Sequence, residues 1–489
     1  MFVLGIDIGT TGCKAMAVNE AGEAVGAGYR GYGLLTGAGG HVEQNPQDWI
    51  DGMVVSVRQA TAGLDRSRIA ALSLSTQAAS SLLVDGSFHP LTRAITWMDS
   101  RAISQRDAAE KELGSEAIYR TSGWRAHAAL DMAKGRWLAE NEPDLFGQAR
   151  WFVSTLEFAN QYLTGIPAID PTNAAMRQLM DIGKNKWDPA LMRGARIDER
   201  ILPPIRQSGD FLGMLTAAAA EQLGLHAGVK VYNGAHDQYC GALGAAILRP
   251  GELMLSTGTA WVTMAVSEKA VYSESYLSPG PHIIPGLYGA LASLPTSGAA
   301  LDWLKNSITG GTYADIDQNA AQRIHKCKDV YFYPYLAGAC FPEWNNTAKA
   351  TFLGLDMDTD KFDLALACME GVAFQFRRVL DEYEANDIGV TDIRVMGGAV
   401  NSSLWLSILS AVCGKRLHVM HEKETPCIGA ACMAGVGAGL FEDYGQAARQ
   451  MNKSSIQEPP ASIMKEHYQA KYQRYMDKWD VLKEVYGAE

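Results

Sequence analysis

A strand, a short Gly-Thr turn and a second strand occur twice in this chain, once in each half. That repetition limits the fold more than any other feature. The first copy is "GIDIGTTGCKAMAV", Gly5 to Val18, and the second is "GELMLSTGTAWVTMAV", Gly251 to Val266. In both, apolar and β-branched residues predict buried strands on either side of the turn. A plain hairpin is served by a two-residue turn. The first turn here is longer, with Thr10 and Thr11 inside it, Asp7 at its entry and Lys14 at its exit. Glycine lets backbone N–H groups approach an anion, and threonine hydroxyls add donors. A carboxylate beside such a nest repels phosphate unless a Mg²⁺ lies between them. Two similar lobes, each offering one hairpin to a shared cleft, would grip the two ends of a triphosphate.

The 489 residues suffice for two or more domains of about 150 residues each. We place the division at 245, giving lobes 1–245 and 246–489. Asp plus Glu number 54 against 43 for Lys plus Arg, a net charge of −11. With no Lys/Arg stripe to overrule it, that balance argues against a nucleic-acid partner. Anionic ligands must then be held by backbone nests and Mg²⁺. The chain opens on a strand without a signal-like leader, and "CIGAACMAGVGAGLF" is too short and Gly-rich to span a bilayer. The eight cysteines form no CxxC pair, and Cys427 and Cys432 read as small core residues of one helix. A cytoplasmic protein without a membrane partner is expected.

Along the first half, strands and helices alternate. In "QNPQDWIDGMVVSVRQA", Asn45 is placed as N-cap and Pro46 as first helical residue. "RIAALSLSTQAASSLLVD" reads as two strands around a loop, and "SEAIYRTSGWRAHAALDMAKGRWLAENEP" as mainly helical with polar interruptions. Near residue 230, "VKVYNGAHDQYCGALGAAIL" is a strand, a Gly-Ala-His-Asp turn and a small-residue helix. In the last third, "DIRVMGGAVNSSLWLSILSAVCG" is a strand, then Gly397-Gly398-Ala399, then a helix beginning near Asn401, a turn that suits a flat base or ribose.

These segments resemble, in order and over essentially the full length, the FGGY carbohydrate kinases, which include xylulokinase, glycerol kinase, gluconate kinase, ribulokinase and the autoinducer-2 kinase. The matching stretches include "GIDIGTTGCKAMAV", "AITWMDSRA", "GAHDQYCGALGAAI", "LSTGTAWV", "MGGAVNSSLW" and "CIGAACMAGVGAG". The resemblance implies an α/β fold of two actin-like (ribonuclease H-like) lobes around a cleft for ATP and a sugar. By the same resemblance Asp7 is the Mg²⁺-associated carboxylate, and Gly9, Thr10, Thr11 and Lys14 form the first phosphate loop. Gly258 and Thr259 form the second, Gly298 lies near the nucleotide, and Gly398 and Asn401 contact the adenosine. Asp237 is the catalytic base, with Gln238 beside it in the sugar site. Gln77 and Ala78 belong to the sugar pocket, which Trp97, Asp99 and Arg101 help to wall.

Two departures bear on substrate. After "LSTQ" the family carries paired sugar-binding side chains, Met-His in typical xylulokinases and Arg-Glu in glycerol kinases; here Ala78 and Ala79 stand there. "GACFPEWN" lacks the Glu-Arg often found after its glycine. The expected reaction is transfer of the γ-phosphoryl of ATP to a hydroxyl of a small sugar, a ketopentose such as xylulose first. Another ketose, a polyol, an aldonate or an autoinducer-2-type compound is the alternative, and a homodimer is allowed. His236, next to Asp237, is read as a neighbour rather than a dyad partner. Trp124, Arg125 and His127 form a polar-aromatic cluster that reads equally as sugar-facing or as surface loop. An actin-fold ATPase would share both hairpins but has no need of Asp237. Intact Asp7, Asp237 and Thr259 argue against a sugar-sensing pseudokinase.

Overall fold

The computed structural model describes residues 1–326, 328–460 and 462–487. In the first half, β1 (Phe2–Ile8), β2 (Gly12–Asn19) and β3 (Ala24–Gly31) form an antiparallel meander. The chain then crosses over, so that β4 (Ile69–Thr76) runs parallel to β1 and β5 (Lys230–His236) runs parallel to β4. The second half repeats the plan. β6 (Glu252–Thr257), β7 (Trp261–Ser267) and β8 (Tyr288–Leu294) are antiparallel. β9 (Asp392–Gly397) then pairs parallel to β6, and β10 (Leu417–Met420) parallel to β9. Antiparallel edge strands extend these into sheets of six and seven strands. The central strands carry near-continuous apolar runs because helices cover both their faces.

Helix α1 (Pro46–Ala60) starts as the sequence indicates: Asn45 Oδ1 accepts the Gln47 N–H, and Pro46 occupies the first helical position. The "SEAIYRTSGWRAHAALD…" stretch is two helices, Ser115–Ser122 and Asp131–Asn141, parted where Gly123 takes φ +79°. Helix α2 (Asp237–Gly244) follows β5, α3 (Ser297–Leu304) follows β8, α4 (Ser403–Cys413) follows β9, and α5 (Thr425–Gly437) follows β10. The helix expected near Asn401 begins later. Gly398–Asn401 form a 3-10 turn, and α4 is capped by Ser402, whose side chain accepts the Trp405 N–H.

Helices α2 and α5 lie between the two sheets. Tyr239, Cys240 and Leu243 of α2 and Ile428, Ala431 and Cys432 of α5 share one buried cluster. Val3, Met16 and Ala71 join it from the first sheet, and Met254, Met264 and Met396 from the second. The helices meet backbone to backbone: a Cβ on Gly429 would lie 2.0 Å from the Cys240 carbonyl oxygen, and one on Gly244 2.1 Å from that of Thr425. Any larger residue at either position would force the helices apart, which accounts for the small-residue composition of both segments. Cys427 and Cys432 are buried in α5, and every cysteine among the described residues is unpaired. No helix among the described residues is long and apolar enough to cross a membrane.

Candidate active site

The first turn, Gly9–Thr11, is closed by a hydrogen bond from Gly9 N–H to the Gly12 carbonyl (3.0 Å). Its carbonyls are tied inward. Tyr32 donates its hydroxyl to Gly9 O (2.6 Å) and its N–H to Thr11 O (3.1 Å), and Gln44 Nε2 donates to Thr10 O (2.6 Å). The Thr10 and Thr11 amides have no protein acceptor among the described residues, the arrangement an anion nest requires. Trp97 is 48% exposed, not core, and its indole N–H donates to Thr10 Oγ1 (2.9 Å).

Asp7 and Lys14 face one another across the β1–β2 pair, yet the Lys14 ammonium is given to Glu424, 2.5 Å away, just before α5. Asp7 Oδ1 accepts the Ser75 hydroxyl (2.7 Å). Burial, then the neighbouring Asp237 charge, push the Asp7 carboxyl up to about 7 against the partial relief given by Ser75 and Lys14. Asp237 opens α2; Gln238 Nε2 donates to its Oδ1 at 3.2 Å, and His236 Nε2 lies 3.0 Å from the same oxygen as an ion-pair contact. Oδ2 takes no protein hydrogen bond among the described residues.

The second turn, Gly258–Ala260, opens into a cavity of ≈940 Å³ whose lining includes Gly258, Thr259, Gly298, Gly398 and Asn401, with Leu301, Asp317 and Trp405 among the others. Five residues from three distant sequence segments thus meet at one cavity. Gly298 is demanded by close packing, since a Cβ there would lie 2.1 Å from the Gly258 carbonyl oxygen, and Ala299 N–H donates to Thr259 O (3.0 Å). Thr257, by contrast, turns inward: its hydroxyl donates to Met396 O and accepts from Ala399 N–H, fixing the Gly-Gly turn after β9. Asp7, Gly9, Thr10, Thr11, Lys14 and Asp237 are not part of this cavity's wall.

Several expected sugar contacts are occupied elsewhere. Gln77 is 1% exposed and its amide donates to Gln44 Oε1 (2.7 Å), so it braces the residue that holds Thr10. Asp99 accepts Val42 N–H (2.7 Å) and is gripped by Arg101 Nε (3.0 Å) and Nη2 (2.8 Å), while Arg101 also reaches Glu43 (2.7 Å). That ion cluster ties the 99–101 loop to the Val42–Glu43 strand. Ala78 and Ala79 are buried, and Ala79 has φ +50°. Behind them lies a residue that sequence reading passes over. Lys134 Nζ donates to Ala79 O (2.5 Å) and Ile95 O (3.2 Å), and burial lowers its ammonium to about 8. Gln44 was missed in the same way, in a stretch whose visible signal is a helix cap. Arg125 is sandwiched between the rings of Tyr276 (4.8 Å) and Trp344 (4.7 Å), so this cluster ties the first half to the second.

Comparison with known proteins finds relatives over nearly the whole chain. The xylulose kinase of Bacillus subtilis is 26% identical over 494 residues, covering 99% of this chain and 96% of its own length. The glycerol kinase of Thermococcus kodakarensis is 28% identical over 470 residues, covering 94% and 93%. The crystal structure of xylulose kinase from Rhodospirillum rubrum matches with a TM-score of 0.93 at 25% identity, over 99% of this chain and 100% of that one. Residues 2–244 match the N-terminal domain and residues 253–438 the C-terminal domain of one family, and the chain belongs to it: the FGGY family of carbohydrate kinases.

Proposed function

We propose that this carbohydrate kinase transfers the γ-phosphoryl group of ATP to a hydroxyl of a ketopentose, xylulose first, with Asp237 as the base. The observation that carries the reading is the division of labour in the cleft. Gly258, Thr259, Gly298, Gly398 and Asn401 line one nucleotide-sized cavity, while Asp237, outside its wall, keeps Oδ2 free of protein hydrogen bonds among the described residues. We assign residues 1–245 to the lobe bearing Asp7 and Asp237, and 246–489 to the nucleotide lobe. Xylulose is favoured because relatives bearing that name match nearly the whole chain. The buried Ala78–Ala79 backbone offers no side chain to read a hydroxyl, so related ketoses and polyols should be taken with modest selectivity. The unpaired cysteines fit a reducing cytoplasm.

Phosphoryl transfer asks for an in-line hydroxyl, a proton acceptor and positive charge around the moving group. Asp237 takes the proton late, as the new O–P bond acidifies the hydroxyl. The free amides of the first turn donate to phosphate oxygens. Asp7 fits a Mg²⁺: its carboxyl is held near neutrality by burial and by the Asp237 charge, a situation that a divalent cation relieves. No three candidate ligands converge among the described residues, which suits Mg²⁺, since it takes one or two carboxylates with phosphate oxygens and water. When bound, the ion would neutralise charge on the transferring phosphoryl group.

ADP release measured with D-xylulose, D-ribulose, glycerol and D-gluconate in turn tests the proposal. Turnover of a ketopentose is expected. Activity confined to glycerol or gluconate, with no ketose accepted, would overturn it.

A further inference from the structure

The reaction as proposed leaves open which oxygen of Asp237 takes the proton and what holds it in place. His236 answers both. It sits at the end of β5, one residue before the carboxylate, with its ring only 8% exposed. Its backbone is pinned by an N–H donated to Thr172 Oγ1 (2.9 Å), and that hydroxyl donates to buried Asp170 (2.6 Å). Ring Nε2 lies 3.0 Å from Asp237 Oδ1, whereas Nδ1 is buried with no hydrogen-bond partner among the described residues. Of the two neutral tautomers, the one protonated on Nε2 turns a proton toward the carboxylate oxygen 3.0 Å away and leaves only a lone pair on Nδ1 unmatched. The other would bury an N–H without an acceptor and set two acceptors against each other. The side chain does not cap α2, so the helix gives it no competing task.

We propose that His236 is a positioning residue for phosphoryl transfer. Its Nε2–H, with the amide of Gln238, occupies Oδ1 of Asp237, so that Oδ2 alone faces the acceptor hydroxyl. As the acceptor oxygen bonds to the γ-phosphorus, the bond from that phosphorus to the ADP oxygen breaks and the hydroxyl proton passes to Oδ2. The electron pair of the broken bond leaves on ADP. Loss of the imidazole would let the carboxylate rotate about its Cα–Cβ and Cβ–Cγ bonds, and misplacement of a reacting group by about 1 Å can cost about a hundredfold in rate. Nucleotide binding, which uses other residues, would be unaffected. The inference rests on Asp237 as the base.

Steady-state kinetics with ATP and D-xylulose on His236→Leu and His236→Gln test this. The Leu variant is expected to lose about 10- to 100-fold in kcat, with KM for ATP changed by no more than about twofold. The Gln variant, which returns an N–H near the Nε2 position, should recover to within about fivefold of wild type. Wild-type kcat in the Leu variant overturns the proposal. So does equal loss in both variants, which marks a packing role. If wild type does not turn over D-xylulose, the substrate assignment fails by itself. His236 is then read by ¹⁵N NMR of histidine-labelled protein, which also serves if the Leu variant does not fold. A protonated Nε2, a bare Nδ1 and an Nε2 signal that moves in Asp237→Asn are expected; a His236 protonated on Nδ1 overturns the inference.

Discussion

The two Gly-Thr turns occupy equivalent places in equivalent sheets, each spanning three residues between antiparallel strands. What surrounds them differs. The first is braced from behind by Tyr32, Gln44 and Trp97, and has Asp7, Lys14 and Glu424 beside it. The second has no charged side chain within it, rests against the start of α3 through Gly298, and opens onto the large cavity. One backbone device thus occurs twice, because a turn of short residues is indifferent to what flanks it. The flanks decide whether carboxylates or a large cavity lie next door.

Removing the base should have the largest effect and show that the chemistry belongs to the first lobe. Asp237→Asn keeps shape and polarity, and sugar-dependent ADP release should fall by about 10²- to 10⁴-fold while ATP still binds. A variant with near-normal turnover would return the comparison to two equal phosphate clamps without a base.

Gly298→Ala tests the second turn through its packing. The added Cβ meets backbone, the Gly258 carbonyl, and cannot be absorbed by a side-chain rotation. Overpacking of this kind costs about 1–3 kcal/mol, so KM for ATP should rise roughly tenfold or more with the sugar KM nearly unchanged. If both constants move together, the second turn serves the whole cleft.

A comparable loss, confined to one hydrogen bond, is expected from Thr259→Val, because Thr259 is exposed and its hydroxyl makes no protein hydrogen bond among the described residues. Losing one hydrogen bond to a phosphate costs about 1.5–3 kcal/mol, which is about tenfold or more in the ATP-dependent constant. Thr10→Val, which loses a neutral bond to the Trp97 indole, should cost about fivefold or less. The reverse ranking would mean that the first turn carries more of the phosphate.

The smallest effect sharpens the electrostatic contrast. With its carboxyl raised from 3.8 to about 7, Asp7 keeps its proton in the folded state over a range where the unfolded chain has lost it. The folded state therefore binds more protons there, and stability falls as pH rises from about 4 to about 7. Asp7→Asn should remove this contribution, so that as pH rises over that range the variant's thermal midpoint falls by about 4 °C less than the wild type's. Identical pH profiles would show that Asp7 does not hold its proton in the folded state over this range.

Much of the architecture could be read directly from residue order. Apolar β-branched runs around Gly-Thr turns mark β1–β2 and β6–β7, and Asn45-Pro46 marks the start of α1, since burial period and capping act within a few residues. The small-residue helices are legible too, because backbone contact tolerates nothing larger at Gly244 and Gly429. Gly258, Thr259, Gly298, Gly398 and Asn401 could be named from their motifs, and they line one cavity. The partners of polar side chains were not legible. Lys14 meets Glu424 across 410 residues, Val42 meets Asp99 across 57, and Lys134 meets Ala79 across 55. A buried charge or amide takes whichever partner the fold carries to within hydrogen-bond reach, and no local pattern encodes that distance. So the fold turns Gln77 to Gln44 and Asp99 to Arg101, whereas His236, one residue from Asp237, has its ring beside the carboxylate because of where β5 ends. By itself the sequence determined two lobes with duplicated turns and tight helices between them. Tertiary structure alone decided which polar groups point into the cleft and which hold it open, because that depends on contacts between segments that only folding brings together.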